Sequence, residues 1–131
     1  MKKLFYLVLA LLSLSACTGA PLSLEGTKWA THGGYYYGEN GEECYDPDNI
    51  IALNFVSSDE VWFTEMVNEA GLNAFFEGDE RTVEEVFTYE YKAPKVSIYY
   101  KGEYEGYAVI KGDKLTLKEV CDHDQVLTKK K

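Results

Sequence analysis

The side chains in this chain best suited to chemistry are its carboxylates. Glu42, Glu43, Asp46 and Asp48 fall within seven residues, with Asn49 next to them. Oxygen ligands at that density suit a hard cation such as Ca²⁺. The run Asp46-Pro47-Asp48-Asn49 lacks the central glycine and closing glutamate of an EF-hand loop. A solvated acidic loop is therefore the reading, and no metal is expected. His32 and His123 stand apart, without the Cys/His spacing of a zinc site. Nucleophilic and phosphate chemistry find no foothold either. There is no Gly-x-Ser-x-Gly, no His-Glu-x-x-His and no phosphate-cradling glycine loop. The expectation is a non-enzymatic protein without a cofactor.

The whole chain sets the frame for those groups. It has 131 residues, a formal net charge of −9, 46% hydrophobic and 15% aromatic residues. That is one globular domain, and a disordered or multi-pass membrane chain is excluded. Acidity also excludes a nucleic-acid partner, because phosphate contacts need clustered Lys and Arg.

Residues 1–16 read as an address. Lys2 and Lys3 precede an apolar run of nine residues, Leu4 to Leu12. That run is far short of the ~20 residues that span a bilayer. Leu14-Ser15-Ala16-Cys17 follows directly and resembles a bacterial lipobox. The resemblance implies a signal peptide over 1–16 and acylation of Cys17, palmitate being a typical acyl group. A membrane anchor through lipid is then the first expected partner. Thr18 stands where an Asp would suggest inner-membrane retention, so the outer membrane is favoured over the inner. Residues 17–24 read as a lipid-anchored tether, and 25–131 as the folded domain.

Within that domain β-branched and aromatic residues recur between turn-forming clusters, with no long helical period. The pattern predicts strands at 27–37, 50–56, 60–67, 85–91, 96–100, 104–110, 114–120 and 125–129. Residues 68–84 are ambiguous. Ala74-Phe75-Phe76 fits a short helical turn or a strand extension. Consecutive short-turned strands predict an all-β, eight-stranded antiparallel up-and-down barrel, which removes sheet edges by closing, with an open sandwich as the alternative. Parity then sorts the connections. Loops 38–49, 68–84, 101–103 and 121–124 share the end away from the tether. Turns 57–59, 92–95 and 111–113 share the tether end.

That parity groups the chemistry-bearing residues. The far end collects most carboxylates, among them Glu42, Glu43, Glu69, Glu80 and Glu84. The tether end collects Lys28, Lys92, Lys95, Lys111, Lys114 and Lys129 to Lys131. An acidic mouth favours cationic ligands. Tyr35, Tyr37 and Tyr45 lead into it, and Phe87, Tyr89 and Tyr91 alternate on one face of a strand. These six are the candidate ligand-contacting aromatics, since such rings stack on sugars or rings and offer hydroxyls. Trp29, Phe55, Phe63, Phe87, Tyr89 and Tyr91 read rather as filling the barrel than as lining a cavity, because small eight-stranded barrels are often filled. Outside the cytoplasm thiols oxidise, so Cys44 and Cys121, brought together at the far end, are expected to form a disulfide.

Leu24-x-Gly26-Thr27-x-Trp29, Ile51-x-Leu53-x-Phe55, Tyr89-x-Tyr91-x-x-Pro94-x-Val96-x-Ile98 and Gly112-Asp113-x-Leu115-x-Leu117 together carry a resemblance. The chain resembles small lipocalin-like lipoproteins of the Gram-negative (Bacteroidetes-type) cell envelope. The spacing Gly26-x-x-Trp29 is one residue longer than the Gly-x-Trp of true lipocalins, and the last strand offers lysines in place of their arginine. The resemblance implies an eight-stranded barrel, in a family whose members mostly lack an assigned ligand. The barrel patterning and the acidic, Tyr-rich, membrane-distal end lead to the expectation of a monomeric binding module for a small ligand there. The rival expectation is a protein-interaction or inhibitor lipoprotein whose acidic loops engage a basic envelope protein. A structural envelope component is the third.

Overall fold

A computed structural model describes residues 19–37, 39–65, 68–118 and 124–130, with backbone alone at 36 and 37. The strands are β1 (Lys28–Tyr37), β2 (Glu43–Phe55), β3 (Glu60–Thr64), β4 (Glu85–Lys92), β5 (Lys95–Tyr100), β6 (Glu103–Lys111), β7 (Lys114–Lys118) and β8 (Gln125–Lys130). A helix, α1 (Glu69–Phe76), and a 3₁₀ turn (Glu80–Thr82) lie between β3 and β4. The eight strands close into an antiparallel up-and-down barrel in sequential order, as the patterning predicts. Closure is made by β1 on β8, from Lys28↔Lys130 to Ala30↔Thr128.

Alternation decides which side chains turn inward. Val96 and Ile98 on β5 are buried, as are Leu115 and Leu117 on β7, with Ser97 and Thr116 between them pointing outward. With Trp29, Leu53, Phe55, Val61 and Ile110 they form one continuous cluster that fills the barrel. Removing such side chains from water contributes roughly 1.5–3 kcal/mol each.

The opening of β1 explains itself locally. The Thr27 hydroxyl donates to the Leu24 carbonyl at 2.6 Å and accepts from the Trp29 indole N–H at 2.9 Å. The buried indole is therefore satisfied. Gly26, at φ +82°, donates its N–H to the Phe55 carbonyl. Ala20 and Leu24 belong to the core cluster. Segment 19–24, read from sequence as a tether, thus packs across the closed end of the barrel.

The largest departure from the predicted strands is β2. It begins at Glu43, not at 50, so most of the expected loop 38–49 is strand. Residues 43–46 pair with 34–37 and form an arm beyond the last β1–β8 rung. The register slips between His32 and Gly34, with Pro47, Asp48 and Asn49 in the slip. Pro47 lacks an N–H, and the slip is where a strand tolerates that. Gly33 sits there at φ +86°, with the Tyr45 hydroxyl occupying the place a Cβ would take. The turn-forming Asp-Pro-Asp-Asn composition therefore marks a bulge inside a strand, not a loop.

Residues 68–84 resolve to the helical option. The Asn68 side chain caps α1 by accepting from the Gly71 N–H at 2.8 Å. The helix runs down the outside of the barrel. His32, high on β1, lies 2.5 Å from Glu69 at its start, and Asn54, low on β2, donates to the Phe75 carbonyl near its end. Leu72 and Phe75 bury against Ile50 and the cross-strand pair Ala30↔Ala52, whose small side chains let the helix approach. Phe75→Ala is expected to cost about 3–5 kcal/mol. Urea unfolding measures it, and a loss under about 1 kcal/mol would mean the helix is not docked on that face.

Candidate functional site

β4 runs from the open end to the closed end, so its three inward aromatics do different jobs. Phe87 sits toward the open end, with its ring 6.0 Å from Phe63 and 5.9 Å from Tyr100. Tyr89 packs edge-on against Phe55, and its hydroxyl donates to the Ser57 carbonyl at 2.7 Å. Tyr91 donates to the Pro21 carbonyl. Tyr89 and Tyr91 therefore lie at the closed end. Their shared strand face spans the barrel height: Tyr89 belongs to the core cluster and Phe87 and Tyr91 pack against it, as the barrel-filling reading has it, and Tyr89 and Tyr91 do not stand at the mouth as ligand contacts. Burial raises the pKa of both phenols above the ordinary value, with Glu25 and Asp59 adding to the effect at Tyr89.

Tyr35 and Tyr45 do come together. Their residues pair across the arm and their rings lie 5.2 Å apart at a 56° tilt. Tyr45 is 58% exposed. Tyr37 contributes backbone pairing with Glu43, and its side chain lies outside the described part. Glu42 and Glu43 are exposed near the arm tip, beside Asp46 and Asp48 on β2. The Asp46 carboxylate accepts from the Asp48 N–H at 2.9 Å. Among the described residues no three Asp, Glu, His or Cys side chains converge as metal ligands.

Cys44 is on this arm, opposite Tyr36, and carries a free thiol. Cys44 sits on a strand that projects beyond β8, and the bond expected from it to Cys121 reaches a residue outside the described part. Cys121, His123 and Cys17 lie outside the described residues.

The second acidic group is displaced in part from where parity puts it. Because α1 descends the flank, Glu80 leaves the mouth, while Glu84, the residue before β4, stays at the open-end start of that strand. They line a cleft of about 330 Å³ on the outside of β3 and β4, with Glu60, Trp62, Val83 and Val86. The Trp62 indole donates to the Glu60 carboxylate at 3.1 Å, and Val86 is 45% exposed. The cleft thus joins an aromatic wall and exposed aliphatic carbon to three carboxylates. This chemistry suits the alkyl stem and charged head of a Lys or Arg side chain. The sequence does contain its signal: in Val61-Trp62-Phe63 the Trp faces outward, and an outward Trp on a strand needs a cover.

Above the cleft, Glu65 is half-buried and shares a hydrogen bond with Glu84. Burial first, then the Glu84 charge and that hydrogen bond, raise its pKa above the ordinary carboxylate value. The folded state therefore prefers Glu65 protonated. Stability from this group is full below the unfolded carboxylate range and is lost as pH rises through the raised folded value. Glu65→Gln keeps a donor and removes the charge. It is expected to be more stable than the parent at pH 7, with the gap closing by pH 4. Urea midpoints at the two pH values measure this, and an equal gap at both would refute it.

No protein-family model, no curated protein and no solved structure matches this chain.

Proposed function

We propose that this protein is an acylated envelope lipoprotein, held in the outer membrane through Cys17. In this reading its barrel is a monomeric, non-catalytic module that recognises a basic protein partner through the acidic arm and flank. The carrying observation is where the chemistry lies. Side chains of one core cluster occupy the barrel interior. The carboxylates lie outside, and three of them surround the Trp62 cleft. Leu14-Ser15-Ala16-Cys17 after the apolar run supports the anchor, and Thr18 supports the outer membrane.

The test is retention of envelope proteins on the immobilised full chain. Basic proteins are expected to bind at low salt and to elute as salt rises, because exposed charge pairs are screened beyond about 8 Å. The variant carrying Glu42→Gln, Glu43→Gln, Glu80→Gln and Glu84→Gln is expected to lose them. Equal retention by parent and variant would end this reading.

One observation favours a small ligand at the open end as a second reading. Gln125 is only 4% exposed, lies on the inward face of β8 beside Leu127, and its Nε2 has no hydrogen-bond partner among the described residues. A buried amide donor without an acceptor costs about 1–3 kcal/mol. A ligand oxygen there would remove that cost. Native mass spectrometry of protein extracted from its own membrane separates the readings. A stoichiometric extra mass that leaves on unfolding means a small ligand, and a bare chain removes it.

A further inference from the structure

We infer that the closed end of the barrel, on its β4–β8 side, docks on an anionic lipid surface with Leu22 set among the headgroups. This rests on the anchoring reading only for what tethers the chain; the surface itself is described directly. Three observations converge there.

The described chain begins at this end. A Cβ on Gly19 would come within 3.1 Å of the Gly112 backbone in the β6–β7 turn. Gly19, where the described chain begins, therefore lies at the closed end.

Leu22 is held out rather than left loose. It is 71% exposed, while Ala20 and Leu24 on either side are buried in the core. The Tyr91 hydroxyl holds the Pro21 carbonyl, and Thr27 holds the Leu24 carbonyl. Leu22 also lines a cleft of about 630 Å³ with Leu24, Ser58, Tyr89, Tyr91 and Lys92.

Charge is polarised about this end. Lys28, Lys92, Lys95, Lys111, Lys114, Lys129 and Lys130 stand at strand ends or turns here, facing Glu25, Asp59, Glu60, Glu90 and Asp113. Elsewhere among the described residues only Arg81, Lys101 and Lys118 face fifteen carboxylates. Glu77, Asp79 and Glu80 follow α1 on the β2–β3 flank, so the β4–β8 side carries the basic face. The arm's carboxylates lie at the opposite end, several Debye lengths away, and are screened from a surface that the lysines touch. A lysine close to an anionic surface strengthens association about fivefold.

The experiment footprints lysines on the full-length protein with an amine-acetylating reagent and reads each site by mass spectrometry. The protein is bound to vesicles of phosphatidylcholine alone, or with phosphatidylglycerol added. Expected is a several-fold protection of Lys92, Lys95, Lys111 and Lys129 on the anionic vesicles and none on the neutral ones. Lys101, at the β5–β6 turn of the far end, should react equally on both. Leu22→Asp, at an exposed position, should abolish the protection with unchanged thermal stability. Equal reactivity of all these lysines on both vesicles would overturn the inference, as would protection that survives Leu22→Asp. Should the anchor reading alone fail, Cys17 will carry no acyl mass and neutral vesicles will not retain the protein, while protection on anionic vesicles persists and supports the docking surface.

Discussion

Cys17→Ser is expected to abolish acylation outright. The intact mass of the parent, extracted from membranes, should exceed that of the chain from Cys17 by a diacylglyceryl group and an acyl chain. The serine variant should carry neither, because a hydroxyl oxygen does not replace the sulfur that forms the thioether. The effect is all-or-none, and its consequence for anchoring is large. Each buried methylene contributes about 0.8 kcal/mol, so several chains hold a protein stably where one does so only marginally. The folded barrel needs none of this. Its described residues begin at Gly19, and its core begins at Ala20. The variant should therefore unfold at the same urea concentration as the parent. A parent mass without acyl groups would remove the lipoprotein reading and leave the barrel untouched.

The second large effect is on the fold itself. Trp29 is fully buried where β1 meets β2 and β8, paired with Leu53 on one side and Lys129 on the other. Trp29→Ala is expected to lower stability by about 3–5 kcal/mol, through lost transfer energy and the cavity left behind. Small domains hold about 5–15 kcal/mol in total. The variant should therefore be partly unfolded at growth temperature. Thr27→Val isolates the polar part of the same feature. It leaves the buried indole N–H without its acceptor, at about 1–3 kcal/mol. Urea unfolding of both variants measures the two terms. A Thr27→Val loss equal to that of Trp29→Ala would mean that the hydrogen bond, and not the packing, carries this corner.

The barrel was legible because alternation is local. Leu115-Thr116-Leu117 and Val96-Ser97-Ile98 place a side chain inward at every second position whatever lies elsewhere, and turns such as Gly112-Asp113 set the direction of the chain. Closure followed from strand count and short connections. The arm was less legible. Asp46-Pro47-Asp48-Asn49 has turn composition, and only the pairing with Gly34 to Tyr37 makes 43–46 a strand. Helix α1 is eight residues long, too short to be stable alone in water. Its form depends on Leu72 and Phe75 finding Ala30, Ile50 and Ala52 on the outer face of two distant strands.

The amino-acid sequence by itself determined the strand order, the inward residues and the gathering of lysines at one end, because these follow from a period of two and from counting turns. Tertiary structure alone decided which surface carries the carboxylates. Parity assigns a loop to an end of the barrel but not to a direction away from it. Docking of α1 on the outer face carried Glu80 down the flank, where it lines the Trp62 cleft with Glu84 from the start of β4. The height of β4 likewise sets Phe87 and Tyr91, which share one strand face, at different depths of the barrel. A strand face fixes direction, and only the closed barrel adds depth.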